Sequence, residues 1–266
     1  MKIGILGCAG RMGRALLKEV LESEDCTLAG GTEVPGHAAL GQDLGILAGK
    51  DDIGLSAKED AAALIAAADA VIEFSTIEAT LRHVALSADG GTAHVIGTTG
   101  LDSDAKDRIA AAAERTPVVC AANMSLGVNL LLGLTERVAK SLGPEAFDIE
   151  IVETHHRHKI DAPSGTALAL GEAAARGRGV PLGDVADRGR DGMTGARKTG
   201  AIGFAALRGG DVIGDHSVVL AGLGERIEIT HKAADRRIYA RGALHAARWL
   251  KGRSPGLYDM TDVLQL

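Results

Sequence analysis

The chain has 266 residues, a formal net charge of −6, and 46 % hydrophobic but only 2 % aromatic residues, so its core must be built mainly from Ala, Leu, Val and Ile. This length suits one large domain or two modest domains with cores of their own. The negative charge gives no support for nucleic-acid binding, and three scattered cysteines are too few for a disulfide framework or a zinc site. Because no stretch is long enough to span a bilayer and the N-terminal apolar run is too short for a signal peptide, we expect a cytoplasmic protein with no membrane partner.

Short apolar runs alternate with helical patterns over the first 121 residues. The predicted strands are 2–6, 27–32, 70–74, 94–96 and 117–121. One helix is predicted directly after the glycine turn that starts at Gly7. Further helices are predicted over 57–68, 77–87 and about 102–115. Strands that alternate with helices predict an α/β fold in which a parallel sheet is covered on both faces, as in a Rossmann-like doubly wound domain.

The pattern changes after Asn123. A long apolar helix over 128–142 precedes a strand over 147–154, and a segment rich in Gly, Arg and Asp over 177–200 predicts a mobile loop. Three further strands follow closely at 202–207, 212–221 and 226–231, before a helix over about 238–250. Successive strands joined by short links predict a second, α+β domain with a mixed or antiparallel sheet.

The turn Gly7-Cys8-Ala9-Gly10-Arg11-Met12-Gly13 has the spacing of a dinucleotide-binding loop between a strand and a helix. The first glycine permits the tight turn, the second lets backbone approach a pyrophosphate, and the third allows close packing of the helix on the strand. Glu33, about 20 residues on, is placed to accept hydrogen bonds from an adenosine ribose, which favours NADH over NADPH. An ordinary loop and a solvated acid at a strand end are the alternatives. The predicted cofactor contacts here are Gly7, Cys8, Ala9, Gly10, Arg11, Met12 and Glu33, with Cys8 interpreted as a small packed residue rather than a redox switch.

Five consecutive basic or titratable residues, 155–159, stand out on this acidic chain. Such a run favours focused binding of a small anion together with proton transfer. A metal site is disfavoured because the spacing matches no zinc motif and the cationic Arg157 and Lys159 would repel a metal ion. A merely solvated basic loop is the other alternative. The helix predicted to open at Ser164 offers backbone N–H groups that can hold a carboxylate.

The segment from Glu153 to Thr166 resembles, nearly letter for letter, the Glu-x-His-His-Arg-His-Lys-x-Asp-Ala-Pro-Ser-Gly-Thr signature of bacterial dihydrodipicolinate reductases (4-hydroxy-tetrahydrodipicolinate reductases). Further motifs in the family's order lie at 10–13, 95–100, 127–129, 202–204, 224–226 and 229–232. The resemblance implies NAD(P)H-dependent reduction of 4-hydroxy-tetrahydrodipicolinate, through its dehydrated cyclic imine, to tetrahydrodipicolinate in diaminopimelate and lysine biosynthesis. It also implies a homotetramer built through the sheet of the second domain, with a small dicarboxylate as the substrate.

The resemblance carries residue roles over to this chain. It makes His155 the general acid/base and Lys159 a further proton donor, for which neighbouring cations predict a lowered pKa. It places substrate on His156, Gly165 and Thr166. It places the nicotinamide side of the cofactor on the segments that end two predicted strands, for which a plain turn is the alternative interpretation. The residues concerned are Gly97, Thr98, Thr99, Ala121, Ala122, Asn123 and Met124. Met124 stands where the family often has an aromatic residue, and Val34 stands where some members have a basic one, so NADH is the expected cofactor and NADPH, helped by Arg11, the alternative.

By the same resemblance the last helix returns to the first domain. The expected division is a dinucleotide-binding domain, 1–125 completed by 237–266, and a substrate-binding and oligomerisation domain, 126–236. Two rival functions remain open. One is another imine- or amino-acid-directed NAD(P) reductase, which need not carry the basic run. The other is an NAD-binding regulatory protein without turnover, which would not need a set of proton donors.

Overall fold

The computed structural model describes residues 1–266, which form two compact units. Unit 1 comprises Met1–Leu126 and Arg237–Gln265, and unit 2 comprises Gly127–Arg236 with Leu266. The elements in chain order are β1 (Lys2–Leu6), α1 (Arg11–Leu21), β2 (Thr27–Thr32), α2 (Leu44–Leu47), α3 (Ala61–Ala67), β3 (Ala70–Glu73), α4 (Ile77–Gly90), β4 (Ala93–Ile96), α5 (Ser103–Ala113), β5 (Pro117–Cys120), α6 (Leu126–Ser141), β6 (Phe147–His155), α7 (Gly165–Arg178), α8 (Leu182–Val185), β7 (Ala186–Asp187), β8 (Ile202–Arg208), β9 (Gly214–Gly222), β10 (Glu225–Ala233), α9 (Arg237–Leu250), β11 (Gly256–Tyr258) and α10 (Met260–Leu264).

Unit 1 is built on a six-stranded sheet in the order β11-β5-β4-β3-β1-β2, and every neighbouring pair is parallel. All four residues of β3 and of β4 are buried, as expected for strands with helices on both faces. The chain runs outward from β1 to β2 and then returns to β3, so the winding reverses between β1 and β3. In such sheets the ligand crevice lies at the carboxyl ends of the strands where this reversal occurs. The expected Rossmann-like doubly wound sheet is confirmed.

Unit 2 carries a five-stranded mixed sheet in the order β10-β9-β6-β8-β7. The central strand β6 is parallel to β8 and antiparallel to β9. Burial alternates along β6, so Phe147, Ile149 and Ile151 face a core to which α6 and α7 contribute Leu131 and Leu170. The expected second domain with a mixed sheet is confirmed. No helix in the structure combines the length and apolar character that crossing a membrane requires.

The sequence placed two segments incorrectly. The helix expected over 57–68 begins at Ala61, because the Asp60 side chain accepts a hydrogen bond from the Ala63 N–H and caps it there. The segment 177–200, expected to be a mobile loop, contains the end of α7, all of α8 and the short strand β7. Its Arg197 guanidinium donates hydrogen bonds to Asp148 and Glu150 of β6 at 2.7 and 2.8 Å, which ties the segment to the sheet.

Candidate active site

The glycine turn of unit 1 is required by sterics at two positions. Gly7 has φ +75°, a left-handed conformation that favours glycine. A Cβ on Gly13 would lie 2.1 Å from the Gly7 carbonyl oxygen, so only glycine lets α1 pack this closely. Gly10 is the N-cap of α1 and makes no side-chain cap, which leaves the first turn of the helix without a side-chain acceptor. Uncapped N–H groups and the positive end of a helix dipole are suited to holding a phosphate.

Glu33 lies directly against this turn. Its Oε1 accepts a hydrogen bond from the backbone N–H of Ala9 at 2.7 Å, which joins the end of β2 to the turn. One carboxylate oxygen is therefore used within the protein, and Oε2 is the oxygen left for a ribose hydroxyl.

The neighbouring Cys8 is 0 % exposed, and burial, with Glu33 as a second cause, raises the pKa of its thiol to about 12. Such a thiol stays protonated and unreactive, in keeping with a packed residue.

A cleft of about 530 Å³ opens beside the turn at the carboxyl ends of β1, β2 and β3. Its walls come from the glycine turn, from the end of β2 with the exposed Val34, from the start of α3 and from the first half of α4. The lining residues are Gly7, Gly10, Thr32, Glu33, Val34, Pro35, Glu59, Asp60, Ala61, Ala62, Phe74, Ser75, Thr76, Ala79, Arg82, His83 and Leu86. The cleft coincides with the crevice expected from the sheet topology.

The segments predicted to contact the nicotinamide side behave differently from one another. Thr98 is buried, and its hydroxyl is used internally, lying 2.8 Å from the Thr80 hydroxyl and accepting from the Ser75 N–H at 3.3 Å. Thr99 beside it is exposed. After β5, Ala122 is exposed, but Met124 is 1 % exposed and packs in the core of unit 1. Only the backbone of Met124 therefore remains for a cofactor contact.

The basic run begins where the core face of β6 becomes polar. Glu153 and His155 lie two residues apart on β6, so both side chains point to the face that carries Phe147, Ile149 and Ile151. Glu153 Oε2 lies 2.5 Å from His155 Nδ1. Arg208, which pairs with His155 across β6 and β8, donates to both carboxylate oxygens of Glu153 at 2.8 Å. Burial raises the pKa of Glu153, but hydrogen bonds from Arg208 and His155 outweigh burial and hold it below its usual value.

The same carboxylate reaches the start of α7. Glu153 Oε1 accepts from the Ser164 backbone N–H at 3.1 Å, and Ser164 caps α7 by accepting from the Ala167 N–H. The Ser164 hydroxyl lies 3.1 Å from Nε2 of His216 on β9, whose ring packs edge-on against His155 at 5.0 Å. Burial, and then the nearby His155, lower the pKa of His216 to about 4, so this imidazole is neutral at neutral pH. We call these five residues the His155 cluster (Glu153, His155, Ser164, Arg208 and His216).

The remaining predicted substrate residues surround this cluster. Gly165 and Thr166 form the first turn of α7, where Gly165 is exposed and Thr166 half-buried. Partial burial and the neighbouring Arg236 and His155 lower the pKa of His156, which favours a neutral hydrogen-bonding side chain. The Lys159 ammonium lies 2.9 Å from the Asp161 carboxylate. Lys159 therefore has an anionic partner in addition to its cationic neighbours.

Sequence reasoning assigned no role to Glu153, Arg208 or His216. The spacing of Glu153 and His155 was the available signal, because two polar residues at alternate positions of a strand share a face. Arg208 and His216 lie 53 and 61 residues after His155 and reach it only through strand pairing. Nothing in the local sequence marks that proximity. No group of three or more metal-ligating side chains is arranged to hold a metal ion.

Comparison with known proteins agrees with this geometry. A family model described as "Dihydrodipicolinate reductase, N-terminus" matches residues 1–124, and one described as "Dihydrodipicolinate reductase, C-terminus" matches residues 127–264. The chain belongs to the dihydrodipicolinate reductase family. The models together cover both units, including the glycine turn and the His155 cluster.

Individual relatives match over the whole length. A 4-hydroxy-tetrahydrodipicolinate reductase of Rhodopseudomonas palustris strain HaA2 is 57 % identical over 266 residues, covering 100 % of this chain and 98 % of that protein. One of Parvibaculum lavamentivorans is 58 % identical over 265 residues, covering 99 % and 97 %. Among solved structures, a dipicolinate-bound dihydrodipicolinate reductase from Paenisporosarcina sp. TG-14 superposes with a TM-score of 0.78 at 21 % identity, covering 98 % of each chain. At that identity the match shows that the fold is shared.

Proposed function

We propose that the chain reduces 4-hydroxy-tetrahydrodipicolinate, through its dehydrated cyclic imine, to tetrahydrodipicolinate, with unit 1 holding NAD(P)H and unit 2 holding the substrate. The family and the names of full-length relatives support the reaction. The observation that carries the residue assignment is the Glu153–His155 pair, which holds an oriented imidazole in the same cluster that anchors the N-terminus of α7. Lysine and diaminopimelate biosynthesis is the pathway in which that reaction stands.

The residues of unit 1 fit a nicotinamide cofactor. The uncapped first turn of α1, the glycine-only packing at Gly13 and the adjoining cleft of about 530 Å³ suit a pyrophosphate and an adenosine. When bound, the cofactor supplies a hydride for the ring carbon of the conjugated imine. We infer that NADH is preferred, because Glu33 repels a 2′-phosphate and Val34 supplies no cation to offset that repulsion. Arg11 at the start of α1 keeps NADPH as the second cofactor.

The proton that reaches the substrate is proposed to come from one nitrogen of His155. Because the Nδ1–H of His155 donates to Glu153, Nε2 is the nitrogen that exchanges a proton with substrate. Lys159 is the further donor. One substrate carboxylate is placed at the first turn of α7, at Gly165 and Thr166, and His156 contacts the substrate as a neutral imidazole. Positioning of the reactants is expected to contribute most of the rate, and general-acid catalysis about 10²- to 10⁴-fold.

We also propose that copies of the chain assemble into a homotetramer through unit 2. The sheet face opposite α6 and α7 carries the half-exposed Val152 and Val219 and the exposed Ala205, while Leu207 is 53 % exposed. An apolar sheet face of this kind is suited to burial against another copy. Light scattering that finds a monomer would exclude the assembly. A cytoplasmic location is in keeping with three free cysteines.

The function is tested by following cofactor oxidation with 4-hydroxy-tetrahydrodipicolinate, using NADH and NADPH separately. Turnover is expected with both cofactors and faster with NADH. Cofactor binding without any oxidation would instead indicate a regulatory protein.

2,6-Pyridinedicarboxylate, the ligand named for the Paenisporosarcina relative, is expected to inhibit competitively, and the inhibition should weaken as salt screens the charges. The absence of inhibition at millimolar concentration and low salt would exclude a dicarboxylate site.

A further inference from the structure

A second buried charged cluster lies in unit 1 and is not used by the proposed chemistry. Glu73 ends β3 and is 0 % exposed. Its Oε1 lies 2.8 Å from Nδ1 of His83 on α4 and also accepts a short hydrogen bond from the Ser75 hydroxyl. Its Oε2 lies 3.3 Å from Nε2 of His94 on β4. One buried carboxylate is thus flanked by two imidazoles from different elements.

The carboxylate is ionised and its charge requires compensation. Burial raises the pKa of Glu73, but the adjacent His83 and His94 imidazoles outweigh burial and lower the pKa to about 2. An ionised group without solvent contact is tolerated only when it is paired and hydrogen-bonded. No Lys or Arg forms an ion pair with Glu73, so the compensating proton must lie on an imidazole.

The two imidazoles differ in their second nitrogen. His94 is 0 % exposed, and its Nδ1 lies 2.9 Å from the Ser87 hydroxyl. The Ser87 hydroxyl therefore occupies Nδ1 of His94, and the contact of its Nε2 with Glu73 Oε2 lies outside hydrogen-bond geometry. The side chain of His83 is 16 % exposed, and the residue lines the cleft that also contains Glu33. Its Nε2 has no hydrogen-bond partner within the chain, so His83 is the imidazole with a donor to offer a ligand.

We propose that His83, as an imidazolium paired with Glu73, is a cofactor-recognition residue that presents its Nε2–H to the anionic adenosine half of the nicotinamide cofactor. This rests on the proposed function, which places the cofactor in this cleft. Arg82, 62 % exposed on the same helix, is the other cation in the cleft. Glu33, Glu59 and Asp60 also line the cleft, and their negative charges repel a phosphate. The charge on His83 therefore offsets part of an otherwise acidic surround.

Removing the charge on His83 should weaken cofactor binding. The loss should be larger for NADPH than for NADH, because the 2′-phosphate adds charge near the cleft's cations. Dissociation constants for both cofactors are measured by fluorescence titration of the full chain, in wild type and in His83→Gln.

The expected result is that His83→Gln binds both cofactors at least about threefold more weakly than wild type, with the larger loss for NADPH. His245→Gln, at an exposed histidine of α9 that does not line the cleft, should behave as wild type. Unchanged affinity for both cofactors in His83→Gln would overturn the proposal. If wild type binds neither cofactor, it is the proposed function that fails instead.

A second measurement covers the case in which His83→Gln does not fold. The imidazole resonances of wild-type protein are followed by NMR while NADH is added. The Nε2 resonance of His83, the histidine whose Nδ1 contacts the Glu73 carboxylate, should shift when the cofactor binds. A His83 resonance that does not change at saturating NADH would also overturn the proposal.

Discussion

Glu153 Oε2 lies 2.5 Å from His155 Nδ1, and the same carboxylate accepts two guanidinium hydrogen bonds from Arg208 and one from the backbone N–H of Ser164. Glu153 therefore contacts both the proposed proton donor and the start of α7, where the substrate carboxylate is proposed to bind. A carboxylate that accepts from one imidazole nitrogen orients the ring and stabilises its cationic form. Glu153 thus acts as a positioning residue for His155.

Replacing Glu153 with Gln should lower kcat at least about tenfold without changing the dissociation constant for NADH. The amide keeps the shape of the side chain but removes the charged acceptor that orients the His155 ring. Because Glu153 is proposed to act through His155 and not on the cofactor, the loss should appear in kcat. The measurement is steady-state kinetics beside a cofactor titration.

Glu150→Gln is the matched control, since Glu150 lies three residues earlier on β6 and points to the opposite face. It should leave kcat near the wild-type value. A Glu153→Gln variant with the kcat of wild type would contradict the positioning role.

Lys159→Ala should reduce turnover at least about tenfold with cofactor affinity near wild type, because Lys159 belongs to unit 2 and is proposed to act on the substrate. Asp161→Asn tests the ion pair separately. Its carboxylate is 54 % exposed and the pair is screened, so we expect less than about a threefold change in kcat/KM. Steady-state kinetics of both variants check this, and equal losses would assign the catalytic effect to the pair rather than to the ammonium.

Cofactor choice is predicted from Glu33 and Val34. Repulsion between a carboxylate and a phosphate at contact is about 1 kcal/mol in water and larger in a partly buried cleft, so kcat/KM should favour NADH by roughly 3- to 30-fold. Val34 is 55 % exposed and lines the cleft, so an arginine fits there without displacing the core. Val34→Arg should narrow or reverse the preference by tightening NADPH binding. The explanation of cofactor specificity would be wrong if wild type clearly preferred NADPH. It would also be wrong if Val34→Arg left the ratio of kcat/KM with NADH to kcat/KM with NADPH unchanged.

Acid should destabilise the fold in part through His216. Its pKa is near 4 in the folded protein and 6.5 in an unconstrained chain, so between these values the unfolded chain takes up a proton that the native state does not. The free energy of unfolding should therefore fall as pH drops from 6.5 to 4, with up to about 3 kcal/mol from this group. Urea unfolding at several pH values checks this, and His216→Gln should show a shallower decline. An equal decline in that variant would assign the acid sensitivity to other groups.

The sequence predicted β1 and the glycine turn accurately because a short apolar run ending in glycine has few other interpretations, and the bounds predicted for β2 also match the structure. It identified the basic run for a related reason, since titratable groups rarely cluster without a ligand. Other features depend on tertiary contacts. Arg197 ties a Gly-rich segment to the sheet through Asp148 and Glu150 of β6, residues far away in sequence. β11 has only three residues, too few for a pattern, and forms because it pairs with β5.

The central claim is that the chain turns over 4-hydroxy-tetrahydrodipicolinate with His155 as the proton donor. The most direct measurement follows NADH oxidation by wild type and His155→Gln at saturating substrate, beside NADH titrations of both proteins. We predict turnover by wild type, kcat at least about tenfold lower in the variant, and equal dissociation constants for NADH. A wild-type protein without turnover, a variant as fast as wild type, or a matching loss of NADH binding would contradict the account.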